Sequence, residues 1–553
     1  MNSSILERRR EQVFPVFTAN QIALARRFGG KPRTYSPRQL LFELGEPGTP
    51  AYLVLTGSVE VSEANGIGVQ PVTVHGPGEL TGEIGQLAGG PSLVRGRAGT
   101  HGAEVIPFDA PQLRSLVVTC AEVGEAVMRA LILRRAFLIE TGAGLVLLGS
   151  AASPDGLRLQ NFLRRNAIPH TVLDPDTDRH AADLVDRLSI SKAELPIVVC
   201  PDGTVLRNPT ERAIAQSLGL LPSFIADRSY DAAIVGAGPA GLAAAVYAAS
   251  EGLSTIVLDA RAFGGQAAAS ARIENYLGFP TGISGEALAG RAYAQAQKFG
   301  AIMAIPAQVT LLKHLADRQS GEPHFELTLD RGDPVRASAV VIASGARYRK
   351  LDIPNLSDFE GRGVYYWASP IESKLCARRD VVVVGGGNSA GQATVFLAGH
   401  VSEVHLLVRA RSLAEGMSWY LVDRINALSN VQVHTETELS RFIGTREEGL
   451  QAVRWKNRRN GNEEEHRIRH VFLFIGALPN TEWLRPCPVV VDSRGFVRTG
   501  ERLSLETSQP GVFAIGDVRA GSVKRVSAAV GEGASLVAEL HTCLRAKPAE
   551  DVR

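Results

Sequence analysis

The chain has 553 residues, 45% hydrophobic and 21% charged, an ordinary balance for a large soluble enzyme, and its length predicts three or four domains. A formal net charge of +2 provides no excess that would hold a nucleic acid or another polyanion. No run of about 20 apolar residues escapes glycine turns or charges, so no membrane span is expected; the opening Met1-Asn-Ser-Ser-Ile-Leu-Glu-Arg-Arg-Arg lacks the apolar core of a signal peptide, which predicts a cytoplasmic protein.

Short apolar runs dominate residues 1–140: Gln39-Leu-Leu-Phe-Glu, Ala51-Tyr-Leu-Val-Leu, Ser58-Val-Glu-Val and Val69-Gln-Pro-Val-Thr-Val. Turns at Gly45-Glu-Pro-Gly48 and Gly76-Pro-Gly78 separate them, which predicts a small β-barrel or jelly roll closed by a helical stretch from Pro111 to Glu140. Leu55-Thr-Gly-Ser-Val-Glu-Val and Gly82-Glu83-Ile-Gly-Gln-Leu-Ala-Gly-Gly-Pro91 resemble the cyclic-nucleotide-binding domain. The resemblance implies that Glu83, after Gly82, would hold a ribose and that an arginine just past the proline would hold the cyclic phosphate. Ser92 stands at that arginine position, with Arg95 three residues along as a substitute. A buried phosphate without a placed cation is poorly compensated. A degenerate domain that binds no cyclic nucleotide is therefore expected.

Residues 143–222 alternate strands and helices. The strand Gly144-Leu-Val-Leu-Leu-Gly precedes Ser150-Ala-Ala-Ser-Pro-Asp and a helix from Gly156 to Asn166. A strand (His170 to Leu173), a helix (Arg179 to Leu188), a hairpin from Leu195 to Leu206 and a helix (Thr210 to Leu218) follow. This βαβαββα order resembles the thioredoxin or glutaredoxin fold, with Pro196 where that family has its cis-proline. The family's redox Cys-x-x-Cys would lie between the first strand and helix, where Ser150 to Ser153 stand. Residues without sulfur cannot exchange disulfides, so a fold retained for docking or spacing is expected.

Two glycine-rich turns mark the rest. The first, Asp231-Ala-Ala-Ile-Val-Gly236-Ala-Gly238-Pro239-Ala240-Gly241, ends an apolar strand and leads into a helix (Leu242 to Glu251) and the strand Ser254-Thr-Ile-Val-Leu-Asp259. Glycines there let the backbone turn tightly and approach a pyrophosphate, which rests on the positive N-terminus of the next helix. Asp259 lies about 20 residues past the turn, where a carboxylate accepts hydrogen bonds from ribose hydroxyls, so this site reads as FAD. The second turn, Asp380-Val-Val-Val-Val-Gly385-Gly-Gly387-Asn388-Ser389-Ala390, leads to a strand from Glu403 that ends in Arg409 and Arg411. A guanidinium suits a 2′-phosphate, so this site reads as NADPH. Two dinucleotide sites on one chain point to electron transfer between them.

These turns, together with Phe263-Gly-Gly265-Gln266, Ile273-Glu-Asn275-Tyr-Leu-Gly-Phe-Pro280, Ala343-Ser344-Gly345, Gly361-Arg-Gly-Val364, Phe474-Ile475-Gly476 and Gly511-Val-Phe-Ala-Ile-Gly516-Asp517, resemble low-molecular-weight thioredoxin reductase. The resemblance implies a homodimer whose FAD domain is split into residues 229–346 and 476–545, with a Rossmann-like NAD(P)H domain inserted at 347–475. It implies that Asp517 would hold the flavin's ribityl chain and that Gly265, Gln266 and Asn275 would approach the isoalloxazine. Ser344 and Gly345 would also line FAD, and Ile475 and Gly476 would line NADPH. Lys524, Arg525 and Val526 would stand near the pyrimidine edge, where cations or N–H groups stabilise a reduced flavin.

One departure matters. The family carries Cys-x-x-Cys just after the Gly-Arg-Gly-Val segment, and here Trp367 and Pro370 fall at the two cysteine positions. Cys376 lies too far along and reads as a buried structural thiol. The five cysteines, Cys120, Cys200, Cys376, Cys487 and Cys543, form neither a Cys-x-x-Cys nor a zinc-type cluster, so no metal is expected. Met417-Ser-Trp-Tyr-Leu-Val-Asp-Arg424 and Gly521-Ser-Val-Lys-Arg-Val526 further resemble reductase-like proteins with N-terminal regulatory domains. The expectation is an enzyme that moves hydride from NADPH to FAD and passes electrons to a ferredoxin-like protein, a quinone, a second flavin or oxygen. Two alternatives stand beside it: reduction of a thioredoxin-like partner's disulfide by the flavin itself, and a nucleotide- or redox-responsive sensor with little turnover.

Overall fold

Antiparallel pairing builds the N-terminal part of the computed structural model, which describes residues 5–64, 69–141, 144–150, 153–187, 190–191, 194–221, 228–315, 325–330 and 334–545. Strands Arg33–Tyr35, Leu40–Phe42, Ala51–Ala64, Val69–His75 and Arg95–Phe108 form one sheet. The runs at 51–55 and 58–61 are one strand, continuous through Gly57 at φ 73°. A Cβ on Gly57 would sit 2.1 Å from the Gly102 carbonyl of the facing strand, so the close pairing requires glycine there. The helical stretch breaks at Cys120 into Ala110–Thr119 and Ala121–Thr141. Asp109 starts the first of these, its carboxylate accepting from the Gln112 N–H at 2.8 Å.

A four-stranded sheet follows, in the order His170–Leu173, Leu145–Leu148, Ile197–Val199, Val205–Arg207. The first pair is parallel and the others antiparallel. The Leu195–Pro196 bond is cis. Ser153 caps the helix Pro154–Arg165, its Oγ accepting from the Gly156 N–H at 3.0 Å. Ala151 and Ala152 of the Ser150–Ser153 segment, and Leu188, lie outside the described residues.

A seven-stranded sheet holds the first glycine turn. Ser229–Val235 pairs in parallel with Thr255–Leu258 and Val335–Ile342, and the late strand Val512–Ala514 joins beside Val335–Ile342. The helix after the turn spans Pro239–Ser250, starting three residues before the sequence expectation because Pro239 occupies its first position, where its fixed φ is already helical. The second turn belongs to a parallel five-stranded sheet in the order Val364–Tyr365, Val471–Leu473, Val381–Val384, Val404–Leu407, Val431–His434. All four residues of Val381–Val384 are buried, as a central parallel strand requires. A short antiparallel pair, Ala346–Tyr348 with Ala477–Pro479, bridges the two Rossmann-like units. Among the described residues no helix is long and apolar enough to cross a membrane, and no cluster of His, Cys, Asp and Glu could hold a metal ion.

Candidate dinucleotide-binding cleft

A single cleft of about 2150 Å³ receives both glycine turns. Gly236, Gly238, Pro239 and Ala240 line one side, and Gly385, Gly387, Asn388 and Ser389 the other. Gly236 (φ 113°) and Gly385 (φ 145°) adopt backbone that a side chain disfavours. Their Cβ atoms would sit 2.2 Å from the Ala343 carbonyl and 2.3 Å from the Phe474 carbonyl. Gly241 acts within the protein, since its Cβ would lie 1.9 Å from the Gly236 carbonyl. Ala390 is likewise fully buried; neither residue lines the cleft.

Gly238 and Gly387 serve a different purpose. The nearest protein atoms to their Cβ positions are 3.9 Å and 4.0 Å away, so these glycines keep a side chain out of the cleft rather than out of the protein. Each is the N-cap of its helix, Pro239–Ser250 or Asn388–Ala398, and neither provides a side-chain cap. The first-turn N–H groups therefore lack intrahelical partners and favour an anion. This arrangement fits the pyrophosphates of two dinucleotides.

Asp259 lines the cleft and is held firmly there. Its carboxylate accepts from the N–H groups of Ala237 (2.8 Å), Arg261 (2.9 Å) and Ala262 (3.1 Å). Gly265, Gln266, Asn275, Ser344 and Gly345 line the same space. Gln266 donates to the Ala346 carbonyl, and Ser344 Oγ donates to the Asn480 carbonyl at 2.8 Å. Gly516, Asp517, Lys524, Arg525 and Val526 close the far wall. Burial raises the Asp517 carboxyl above its ordinary range, opposed by the Lys524 ammonium. Lys524 Nζ donates to the Asp517 carbonyl at 2.5 Å and lies 4.6 Å from the Phe496 ring centre. Glu532 braces this turn, accepting from the Gly516 N–H at 2.6 Å and from Arg519 at 2.6 Å.

On the other side, Ile475 and Gly476 line the cleft and the two arginines separate. Arg409 faces the cleft. Arg411 does not line it; this guanidinium is 88% exposed and lies 3.7 Å from Glu436. Glu415, unremarked in the sequence, lines the cleft and accepts from the N–H groups of Arg411 (3.1 Å) and Ser412 (3.2 Å). Arg409→Ala is therefore expected to weaken NADPH relative to NADH by about ten- to a hundredfold, a charge-assisted contact of roughly 1.5–3 kcal/mol. Arg411→Ala should change the ratio by less than about threefold. Flavin-reduction kinetics with each nucleotide check this, and equal effects of the two substitutions would remove Arg409 from the role.

Trp367 also lines the cleft, its Nε1 donating to Glu372 Oε1 at 2.9 Å. Glu372 is buried and accepts from the Ser369 N–H at 3.1 Å as well. Pro370 begins the short helix Pro370–Leu375. Cys376 follows it with no exposed surface, and its Sγ donates to the Glu372 carbonyl at 3.1 Å. Burial pushes this thiol up to about 12, so it stays protonated at neutral pH. No disulfide links any two of the five cysteines.

The N-terminal cassette is separate from this cleft. Arg135 on helix Ala121–Thr141 pairs with Glu83 at 2.8 Å, and Arg95 pairs with Glu43 at 2.5 Å. Gly82 accepts at its carbonyl from Arg134 at 2.9 Å. Ser92 Oγ donates to the Val94 carbonyl at 2.7 Å. Glu83 and Arg95 thus each answer to another charge. The space beside Glu83 and Arg135 is about 40 Å³, well below the roughly 300 Å³ of a ligand pocket.

Comparison with known proteins follows this division. Residues 230–533 match the pyridine nucleotide-disulphide oxidoreductase family, and residues 32–120 match the cyclic nucleotide-binding domain. Thioredoxin reductase of Treponema pallidum (strain Nichols) is 35% identical over 308 residues, covering 56% of this chain and 95% of that protein. An alkyl hydroperoxide reductase polypeptide of Pseudomonas putida is 34% identical over 334 residues, covering 59% of this chain, and the chain spans only 60% of that relative's length. Among solved structures, the thioredoxin reductase of T. acidophilum superposes with a TM-score of 0.53 at 30% identity, covering 57% of this chain and 99% of that one.

Proposed function

The chain belongs to the pyridine nucleotide-disulphide oxidoreductase family, and from that membership we propose that it carries electrons from NADPH through FAD to an acceptor other than a disulfide of its own. It is an FAD-containing, NAD(P)H-dependent oxidoreductase, thioredoxin reductase-like in its flavoprotein part, and FAD and NADPH are its cofactors. The observation that carries the acceptor reading is Trp367, an indole on the cleft wall at the place where the resemblance puts a redox cysteine. An indole cannot exchange disulfides. Cys376, the nearest thiol in sequence, is buried and protonated.

Bound FAD supplies a ring that accepts hydride from NADPH and releases electrons to an acceptor. The chain's own residues orient and stabilise. The two helix N-termini behind Gly238 and Gly387 would hold the pyrophosphates, and Arg409 would favour a 2′-phosphate. Lys524 would present its donor beside Asp517, where negative charge on the bound ring would be stabilised as it develops. A quinone or a ferredoxin-like protein is the acceptor this reading favours. The relatives' names support a second reading, in which a thioredoxin-like or peroxide-reducing partner brings its own disulfide to the flavin. Five cysteines outside any disulfide suit a reducing compartment such as the cytoplasm.

Anaerobic mixing tests the reading. NADPH should bleach the flavin colour, and a quinone or ferricyanide should restore it over many cycles. A flavin that stays oxidised under excess NADPH would end the enzyme reading in favour of a sensor.

A further inference from the structure

One residue of the cleft wall comes from outside the family's span. Arg165 is the last residue of the helix Pro154–Arg165, on the four-stranded unit, and it lines the dinucleotide cleft. That helix is held against the flavin unit by Arg164, which pairs with Glu286 at 3.0 Å, and by Asn166, whose Nδ2 donates to the Arg261 carbonyl at 3.0 Å. Arg165 Nη2 donates to the Gly265 carbonyl at 2.9 Å. Its Nε is buried and has no acceptor. The acidic group that acts on it most is Asp259, whose oxygens already serve three backbone N–H groups.

A guanidinium has five donors and stays charged. The Nε is closed off even from the open cleft, but the guanidinium as a whole lines that cleft, and among the described residues no carboxylate stands within ion-pair distance of it, so its charge is available to an anionic group of a ligand. The position says which part of the ligand. Gly265, to which Arg165 is bonded, packs against Gly238, since a Cβ on Gly265 would lie 3.0 Å from the Gly238 Cα. Gly238 is the N-cap of Pro239–Ser250. A guanidinium and an open helix N-terminus thus converge on one stretch of the cleft, and both favour an anion.

We propose that Arg165 binds the pyrophosphate of FAD, so that the flavin site of this chain is completed by a unit outside residues 230–533. The inference rests on the reading of the cleft as a flavin site. It assigns the four-stranded unit, which has no Cys-x-x-Cys, a part in cofactor binding.

The test is FAD affinity of the full-length apoprotein, measured by quenching of flavin fluorescence at low and high salt. Arg165→Ala and Arg165→Gln should raise the dissociation constant by about ten- to a hundredfold, the range for a charge-assisted hydrogen bond. Arg165→Lys keeps the charge and should recover part of the loss. The parent's affinity should fall with salt more steeply than that of either neutral variant. Arg164→Ala loses only a half-exposed docking pair and should stay within about threefold of the parent. Circular dichroism of the apoproteins checks folding, and Arg165→Gln, which keeps a donor for the Gly265 carbonyl, carries the test if the alanine variant fails to fold. Neutral variants within about twofold of the parent, with unchanged salt dependence, would overturn the proposal. So would Arg164→Ala weakening FAD as much as Arg165→Ala, which would mean that docking alone matters. A parent protein that takes up no FAD would instead sink the flavin-site reading itself.

Discussion

A cysteine-free version of this protein is expected to pass electrons from NADPH to ferricyanide or a quinone at close to the parent rate, and neither protein is expected to reduce a thioredoxin above background. The reason lies in where the sulfurs are. Cys120, Cys200 and Cys376 are buried, and Cys487 and Cys543 are partly so. None is in a disulfide, and no two stand in a Cys-x-x-Cys. Burial raises the thiols of Cys200 and Cys487, and that of Cys376 reaches about 12. A thiolate is the species that attacks a disulfide, and these thiols are held away from it. The substitutions follow the environment: alanine at Cys120, because a buried hydroxyl without a partner costs on the order of 1–3 kcal/mol, and serine at Cys200, which keeps an acceptor for the Ser217 hydroxyl, at Cys376, which retains a donor for the Glu372 carbonyl, and at the partly buried Cys487 and Cys543. The assay couples NADPH oxidation to thioredoxin and an insulin reporter. Robust turnover that vanishes in Cys376→Ser would show that a single thiol does carry exchange.

Gly238→Trp is expected to yield a folded protein almost devoid of FAD, where the parent carries about one flavin per chain. Gly238 is unusual among the turn glycines because the protein does not need it small. Its backbone (φ −72°, ψ −178°) suits any residue, and a Cβ added there meets no protein atom closer than 3.9 Å. A large side chain there extends into the cleft that Gly238 lines, where the pyrophosphate would lie. Gly241→Val makes the contrast, since its side chain would strike the Gly236 carbonyl and damage the fold, so flavin loss in that variant would say nothing about a ligand. The measurement is flavin content together with the thermal unfolding curve of the apoprotein. Normal FAD content in a well-folded Gly238→Trp would remove the first turn from cofactor binding.

The sequence alone located what depends on local backbone geometry. Both glycine turns are legible because a tight turn at Gly236 or Gly385 demands positive φ and no Cβ, and the run Val381–Val384 announces a strand buried on both faces. The resemblance to thioredoxin reductase implies that Trp367 and Pro370 stand at the family's two cysteine positions, a reading that needs only the residues after Gly361-Arg-Gly-Val364. Less local features escaped. The strand Arg95–Phe108 is interrupted in composition by Gly96, Gly99, Gly102 and Pro107, and its length comes from pairing with Ala51–Ala64 rather than from its own pattern. The break at Cys120 between two helices has no proline or glycine to mark it.

Charge partnership was decided only by the tertiary structure. Arg409 and Arg411 are two residues apart and look equivalent in sequence, yet one lines the cleft and the other sits by Glu436. Glu83 pairs with Arg135 rather than with anything near Arg95, a contact that exists because helix Ala121–Thr141 packs against the turn Ile84–Ala88 that follows Glu83. Arg165 reaches a flavin cleft whose glycine turn begins about 70 residues later in the chain. A φ angle or a missing side chain constrains its own residue and is written in the sequence. The partner of a long charged side chain is set by which surfaces meet, and no local pattern records that.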